Sequence, residues 1–382
     1  MENRKKKVHI TAYLNQNLGD DLFVYIMCKQ YKMVKFYMAG PSSMKHTFNN
    51  LPNLTYICND TLLLKIVSWL QNKIRLRQGK KIIFREKWVE NQLAKRFTYN
   101  VLVTGSMYIE VACRYRELEM EFPWYQSHPL ILSCNFGPYH TKDFYQRCHD
   151  YFQMTTHTCF RDRDSVASFQ DLSNVSYAPD IAFNINHDTR DDGYYVVSVI
   201  DLIKSDFGKW KQYRQQYIDT LVGVVNEWIR LGKKVYLFGC CKYLGDMDTI
   251  DEIVNKVHHQ NKKLLCSVCY EEIGMEETLN IFAYSRGILA TRFHALVLGI
   301  AFQKQVYPIA YSSKMEQLLR EIGIQDNSYE TYEINDFVNR DVEYVMNHFI
   351  DTKAMDVQTI KKEAKRHFHL FEQMLEEGVH AS

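Results

Sequence analysis

Short apolar segments alternate with helical patterns along nearly the whole chain. The apolar segments are rich in β-branched and aromatic residues, and stretches of helical periodicity separate them. This alternation is typical of βαβ units, in which helices cover parallel sheets, so the sequence predicts an α/β fold. The predicted strands are KVHITAYL, KMVKFYMA, LTYIC, YNVLVTG, PLILSCNF, HTCFRD and VSYAPD, followed by YYVVSVI, KKVYLFGCC, KLLCSVCY, RGILATR and QVYPIAY.

The chain of 382 residues is too long for one ordinary core, and a polar, turn-prone stretch (residues 184–193, NINHDTRDDG) separates its halves. We therefore expect an N-terminal Rossmann-like domain at 1–185, a C-terminal Rossmann-like domain at 186–335 and C-terminal helices at 336–382. Two such domains would face a central cleft at the carboxyl ends of their strands, where open α/β sheets bind ligands.

Composition excludes several classes of protein. Lys and Arg total 47 against 45 Asp and Glu, which gives no overall bias toward nucleic acid. No run approaches the ~20 apolar residues of a membrane span, and the start MENRKKK precedes no signal-peptide core. The ten cysteines lie in apolar runs, and Cys266 and Cys269 lack a second pair at zinc spacing. A cytoplasmic protein with reduced thiols and no metal site is expected.

The first loop contains Asn17, Gly19 and Asp20 immediately after the first strand. Gly19 would let the backbone approach a ligand, and the following helix start offers free N–H groups. Asp20 or Asp21 is equally suited to be an ordinary helix N-cap. Both readings place a carboxylate at the carboxyl edge of the sheet.

Polar residues follow three later strands of the first half. Thr104-Gly105-Ser106 is a small-residue strand end, and Asn135 and Tyr139 are candidates for bonding sugar hydroxyls, although both loops are also plain turns. Arg161 and Arg163 could together clamp a carboxylate or phosphate, or they could belong to a surface Arg/Asp network capped by Asp164 or Ser165.

The most informative stretch is Gly287–Lys314, GILATRFHALVLGIAFQKQVYPIAYSSK. It predicts a central strand and a short buried helix, with Arg292 and His294 in the loop between them. The start of a helix favours negative charge, and two cations there point to a bound phosphate or carboxylate. Lys314 follows the next strand and could supply a third cation.

Residues 65–96 contain ten Lys/Arg and two Asp/Glu, interleaved with large apolar side chains. One interpretation is a surface that rests on an anionic membrane. The other is a solvated helical face whose apolar side is covered by the sheet.

Six motifs in order, NLGDD, TGSMY, SCNFGPY, CFRDRDS, YAPDIAF and ATRFHALVLGIAFQKQVYPIAYSSK, resemble the polysaccharide pyruvyl transferase family. The resemblance implies a fold similar to the two-domain GT-B glycosyltransferases. It also implies transfer of the enolpyruvyl part of phosphoenolpyruvate to a sugar, with phosphate released and no separate cofactor. Where the family often has three glycines at a strand end, this chain has Thr104-Gly105-Ser106.

Carried over to matching positions, the resemblance makes Arg292, Phe293 and His294 donor-site residues, with Arg161 a further donor contact. His294 is the candidate general acid, and Asp20 is a contact or an acid/base candidate. The expected acceptor is a galactose-type sugar, and the candidate carrier is an undecaprenyl-diphosphate-linked oligosaccharide at the inner face of the cytoplasmic membrane. Two alternatives are a nucleotide-sugar glycosyltransferase and a non-catalytic glycan- or anion-binding protein.

Overall fold

The computed structural model describes residues 6–80, 82–110, 128–324 and 332–380. The chain divides into two compact units. The first unit comprises Met1–Asn15, Asp20–Ile181 and Glu363–Ser382, and the second comprises Gln16–Gly19 and Ala182–Lys362. Each unit contains one mainly parallel sheet, so the α/β class predicted from the alternation is confirmed.

The first unit is built on a seven-stranded parallel sheet in the order β3-β2-β1-β4-β5-β6-β7. All seven predicted strands of this half are present. The strands are β1 (Lys7–Thr11), β2 (Lys35–Gly40), β3 (Leu54–Cys58), β4 (Tyr99–Val103), β5 (Leu130–Cys134), β6 (His157–Phe160) and β7 (Val175–Tyr177). The helices are α1 (Leu18–Gln30), α2 (Leu62–Arg77), α3 (Arg85–Ala94), α4 (Lys142–Gln153) and α5 (Arg163–Ser168).

The second unit repeats the scheme with a six-stranded sheet in the order β10-β9-β8-β11-β12-β13. The strands are β8 (Tyr195–Val199), β9 (Val235–Gly239), β10 (Leu265–Cys269), β11 (Gly287–Ala290), β12 (Gln305–Pro308) and β13 (Ile350–Asp351). The first five match the predicted strands. The two-residue β13 pairs antiparallel with β12 and is too short to leave a periodic pattern in the sequence.

The helices of the second unit begin close to their predicted positions. They are α6 (Arg214–Arg230), α7 (Asp246–Lys256), α8 (Tyr270–Ala283), α9 (Phe293–Ala301), α10 (Ser313–Glu321), α11 (Ile334–Phe337), α12 (Val342–Asn347) and α13 (Val357–Ala364). Helix α8 contains a break at Gly274, where φ is 77°, a backbone conformation that glycine adopts without a steric penalty.

The boundary between the two units and the assignment of the C-terminal segment differ from the sequence prediction. The change of unit falls between Ile181 and Ala182, a few residues before the polar stretch. The segment 336–382 is not a unit of its own, because residues through Lys362 belong to the second unit and the remainder belongs to the first. Its last helix, α14 (Arg366–His380), packs Phe371 against Tyr31 and Phe36 of the first unit.

Two predicted helix caps are wrong. Helix α1 begins at Leu18, and the Asn17 side chain accepts the Gly19 N–H at 3.2 Å, so Asp20 and Asp21 lie inside the first turn. Helix α5 is capped by Asp162, which accepts the Ser165 N–H at 2.7 Å, and not by Asp164 or Ser165. In both places the capping residue precedes the predicted one and lies closer to the end of the preceding strand.

The large apolar side chains of the basic segment 65–96 are buried in one of its two helices and mostly exposed in the other. Helix α3 buries Val89 and Leu93 in a cluster with Ala39 of β2, as expected for a helix with its apolar side on the sheet. Helix α2 does not, because Ser68 is its one buried residue and most of its large apolar side chains are exposed. The predicted covered apolar side is therefore wrong for α2. Lys81 lies outside the described residues.

The nine cysteines among the described residues are free thiols. In the same part of the chain, no group of three or more His, Cys, Asp or Glu side chains is placed to hold a metal ion. Nor is any helix within the described ranges long and apolar enough to cross a bilayer.

His367 on α14 links the end of the chain to the first unit. Its Nε2 donates to the Pro179 carbonyl at 3.0 Å, which fixes the neutral tautomer with hydrogen on Nε2. The side chain is fully buried, and desolvation lowers the pKa of His367 from 6.5 to about 4. A histidine that stays neutral in the folded state stabilises the fold only while the solution pH leaves it neutral.

We expect the first unit to lose stability as the pH falls from about 6.5 to about 4, because unfolded His367 binds a proton before the folded form does. Between pH 7 and pH 5 the loss from this residue is about 2 kcal/mol. Urea denaturation at both pH values should show it, and His367→Gln should reduce the difference, whereas the exposed control His46→Gln should not. An unchanged pH dependence in His367→Gln would contradict this role.

Candidate active site

The loop that follows β11 places a buried ion pair at the carboxyl edge of the second sheet. Arg292 stands at the N-cap position of α9, and its guanidinium meets the carboxylate of Asp246, the first residue of α7. The Nε of Arg292 donates to Asp246 at 3.1 Å, and Nη2 donates to the other carboxylate oxygen. Nη1 takes no part in this bidentate pair. Desolvation opposes the charge of Arg292, but Asp246 outweighs it and raises the pKa of the guanidinium.

Asp246 is itself held by the backbone. One carboxylate oxygen accepts the N–H groups of Cys240 and Cys241, each at 3.0 Å, directly after β9. The Arg292 N–H donates to the Ser198 hydroxyl on β8, the strand between β9 and β11. Three neighbouring strand ends are thus tied together by the Asp246 carboxylate, the Arg292 guanidinium and the Arg292 backbone N–H, which fix the position of the loop before α9.

His294 lies in the first turn of α9 and is partly exposed. Its imidazole rests against Gly19, where a Cβ built on the backbone would lie 1.9 Å from Nδ1. The adjacent Leu18 N–H donates to the Cys240 carbonyl at 3.2 Å, so the 16–19 segment runs along the strand ends of the second unit. Gly19 is therefore required by the close approach of the His294 ring, a reason that the sequence did not reveal.

Two further predicted residues lie beside His294. The Phe293 and His294 rings meet edge to face with centroids 5.1 Å apart. Lys314, in the first turn of α10, places its ammonium 5.8 Å from the Phe293 ring centroid. The structure thus places Arg292 and His294 at the start of a nine-residue helix, whose dipole adds a partial positive charge, and places the Lys314 ammonium near Phe293 between them in sequence.

In the first unit the predicted strand-end residues converge on Arg161. Its Nη1 donates to Asp180 at 2.9 Å, and its Nη2 donates to Asn135 at 2.7 Å and to Ser106 at 3.1 Å. Gly105 lies against the same guanidinium, since a Cβ there would be 3.1 Å from Nη1. The small residues of this strand end therefore make room for a protein side chain.

Arg161 and Arg163 do not form the predicted clamp. The Arg161 guanidinium is buried against Asp180, whereas Arg163 is exposed and stacks over the Tyr177 ring at 4.3 Å. The side chain of Asn135 is likewise engaged, because its Oδ1 accepts from Arg161 and Ser106. Successive residues at a helix start project in different directions, so adjacency in sequence did not give convergence in space.

Tyr139 and Asp20 differ in their exposure to solvent. Tyr139 is exposed and packs on Phe136 with the ring planes tilted by 37° and the centroids 4.8 Å apart. Asp20 lies in the first turn of α1 and is mostly buried. Asp20 belongs to the first unit and His294 to the second.

The sequence predictions did not include Asp246 and gave Asp180 no ligand-binding role. Each is the buried partner of an arginine that was predicted to bind an external anion. A signal for Asp246 was present, since Gly245-Asp246 follows β9 and opens a helix as Gly19-Asp20 does near the start of α1. The identity of its partner was not in the sequence, because 46 residues separate it from Arg292.

Two Rossmann-like sheets, each carrying charged residues at the carboxyl ends of its strands, define a GT-B-like α/β protein. The chain belongs to the polysaccharide pyruvyl transferase family, whose model matches residues 17–313. No curated protein sequence matches the chain significantly.

Solved structures support the fold. The Anabaena Alr3699/HepE protein in complex with UDP-glucose is similar at a TM-score of 0.52 and 9% identity, covering 97% of this chain and 98% of that one. A Listeria monocytogenes protein provisionally assigned as a UDP-N-acetylglucosamine 2-epimerase gives a TM-score of 0.52 at 8% identity, over 98% and 97% of the two chains. At these identities the likeness concerns architecture alone.

We expect Asp246→Ala to destabilise the second unit by about 3–5 kcal/mol, because it leaves the Arg292 charge buried without its carboxylate. Urea denaturation followed by the fluorescence of Trp210 and Trp228, both in the second unit, measures this. The double variant Asp246→Leu/Arg292→Met should recover most of the loss, since it removes both charges. A loss below about 1 kcal/mol in Asp246→Ala would show that the pair contributes little.

Proposed function

We propose that this protein transfers the enolpyruvyl group of phosphoenolpyruvate onto two hydroxyls of one sugar, forming a pyruvate ketal and releasing phosphate. Membership of the family supplies the reaction class. The observation that carries the proposal is the group at the start of α9. There the partly exposed His294 follows Arg292 of the buried Arg292–Asp246 pair by two residues, and the Lys314 ammonium lies 5.8 Å from the ring centroid of the intervening Phe293.

The charge arrangement suits a small dianion or trianion. Phosphoenolpyruvate carries a phosphate and a carboxylate within a few bonds of each other, so its binding needs several donors at one place. In our proposal Nη1 of Arg292 and the Lys314 ammonium provide them, and the positive end of the α9 helix dipole adds to the attraction. Asp246 holds the guanidinium in place and balances its charge, which keeps Arg292 stable without a ligand.

The proposed chemistry begins with proton transfer from His294 to the methylene carbon of phosphoenolpyruvate, which leaves an oxocarbenium-like centre at the second carbon. One sugar hydroxyl attacks this centre and loses its proton. A second hydroxyl then forms the other C–O bond as the C–O bond to phosphate breaks, and its proton leaves with the phosphate. Nearby phosphate would keep the imidazolium form of His294 favoured against the helix dipole.

The first unit is proposed as the acceptor side. Asp20 would take the proton of the attacking sugar hydroxyl, and Asn17 and Tyr139 would contact the sugar. The hydrogen bonds of Arg161 to Asp180, Asn135 and Ser106 support a role in shaping this strand end more than direct contact with the donor. We further propose that the acceptor is a galactose-type residue of a lipid-linked capsular or exopolysaccharide unit.

The first test incubates the purified protein with phosphoenolpyruvate and a galactoside, and follows phosphate release together with the mass of the ketal. We expect phosphate release to depend on the acceptor and the product to retain the three pyruvyl carbons. A requirement for a nucleotide sugar would instead support a glycosyltransferase. Binding of the glycan without any product would support a non-catalytic protein, and either result would overturn the proposal.

The second test asks whether His294 is the general acid that donates the proton to phosphoenolpyruvate. We expect His294→Ala to lower turnover at saturating substrates by about 10²–10⁴-fold, the usual contribution of a general acid, with a much smaller change in the KM for phosphoenolpyruvate. His46→Ala, an exposed histidine of the first unit, is the matched control and should retain normal turnover. Near-normal turnover in His294→Ala would remove His294 from the acid role while leaving the reaction itself intact.

A further inference from the structure

Helix α2 presents its apolar side to solvent. Positions 62, 66, 69, 73 and 76 recur at intervals of three and four residues, so they share one face of the helix. Leu62 on this face is 74% exposed and Trp69 is 55% exposed. We name the exposed side chains of α2 the outer face; its large apolar members are Leu62, Leu63, Ile66, Trp69, Leu70, Ile74 and Leu76.

The opposite side of α2 faces the protein, and its partly buried Leu64 packs against the cluster of Ala39, Val89 and Leu93. Ser68 is buried there, and Asn72 forms two hydrogen bonds with the Ile83 backbone, its Nδ2 donating to the carbonyl and its Oδ1 accepting the N–H, both at 2.9 Å. Thr61 caps the helix by accepting the Leu64 N–H. These polar contacts fix the rotation of α2 about its axis, so the outward direction of its apolar side chains is set by the protein.

The charge around the outer face has one sign. From Leu62 to Arg85 the sequence holds seven Lys/Arg and no Asp or Glu. Lys65, Lys73 and Arg77 are exposed on the helix itself, and Lys73 places its ammonium 4.1 Å from the centroid of the Trp69 ring. Aliphatic side chains, one tryptophan and surrounding cations together match the interface of an anionic bilayer, where acyl chains and phosphate headgroups meet.

We propose that α2 lies flat on the surface of an anionic membrane, with its outer face inserted among the headgroups. The helix has 16 residues, about 24 Å at the usual rise, enough to present all the apolar side chains of the outer face to one plane. Their apolar area supplies the binding energy, and the long Lys and Arg side chains reach the phosphates.

A second copy of the chain is a poorer partner for the same face. In a symmetric dimer each patch contacts its own equivalent, so the basic residues of one copy would approach those of the other. Lipid phosphates carry the opposite charge and avoid this repulsion. The proposal extends the proposed function, since a lipid-linked acceptor would be met at such a surface, yet binding to vesicles requires neither phosphoenolpyruvate nor turnover.

The test is sedimentation of the full chain with vesicles of phosphatidylcholine, with and without 30% phosphatidylserine. We expect binding to the anionic vesicles that weakens as the salt concentration rises. Replacing Lys65, Lys73 and Arg77 by Glu should lower the partition coefficient at least about 100-fold. The apolar variant Ile66→Asn/Trp69→Gln/Leu70→Asn should lower it comparably.

Two control variants make comparable changes at exposed positions away from α2. Lys32, Lys142 and Lys209 are exposed, and replacing all three by Glu makes the same change in net charge away from α2. Ile203→Asn/Tyr243→Asn removes exposed apolar side chains from the second unit. Both controls should bind vesicles as the wild type does, and all variants should keep the wild-type circular dichroism spectrum.

Three outcomes would overturn the proposal. They are failure of the wild type to bind anionic vesicles, equal binding by the α2 variants, and self-association that the α2 variants abolish while vesicle binding is absent. The last would identify the outer face as a contact between copies. Phosphate release with a soluble galactoside distinguishes this failure from failure of the proposed function, because a soluble acceptor bypasses the membrane.

Discussion

The buried pair of Arg292 and Asp246 is the interaction on which the arrangement of the second unit depends. A guanidinium at the start of a helix opposes the helix dipole, and burial adds a desolvation cost. Asp246 offsets both, because it meets the guanidinium through two donors and also accepts two backbone N–H groups after β9. The pair joins the ends of β9 and β11 across β8, and this fixes the loop from which His294 projects.

In the first unit a buried strand-end arginine is likewise neutralised by an aspartate, but the residues are different. Arg161 follows β6 and is neutralised by Asp180, which follows β7, while Asn135 and Ser106 take its remaining donors. In β5, Ser133 adopts φ 65° where the register shifts, and its hydroxyl accepts the Ile181 N–H. Both units thus use a buried strand-end arginine to order neighbouring loops, whereas the exposed Arg163 stacks over the Tyr177 ring.

Much of the fold was predictable because it follows from local patterns. Twelve strands and most helix starts were predicted from apolar periodicity and from turn residues. This was possible because the burial of a strand and the amphipathicity of a helix both appear as patterns within a short stretch of sequence. The strand β13 was not predicted, because an alternating pattern cannot be recognised over two residues. The helix caps at Asn17 and Asp162 were misplaced because several Asx and Ser side chains compete at each helix start, and which one reaches the N–H groups depends on the exact exit of the strand.

The sequence by itself determined the family, the parallel sheets and the place of Arg292 and His294 at a helix start, because each is encoded in short motifs of consecutive residues. Only the tertiary structure decided which charge neutralises each arginine, since Asp246 lies 46 residues from Arg292. It also decided why residue 19 is glycine and which side of α2 meets solvent. Those answers depend on contacts between distant segments, and periodicity along the chain carries no information about them.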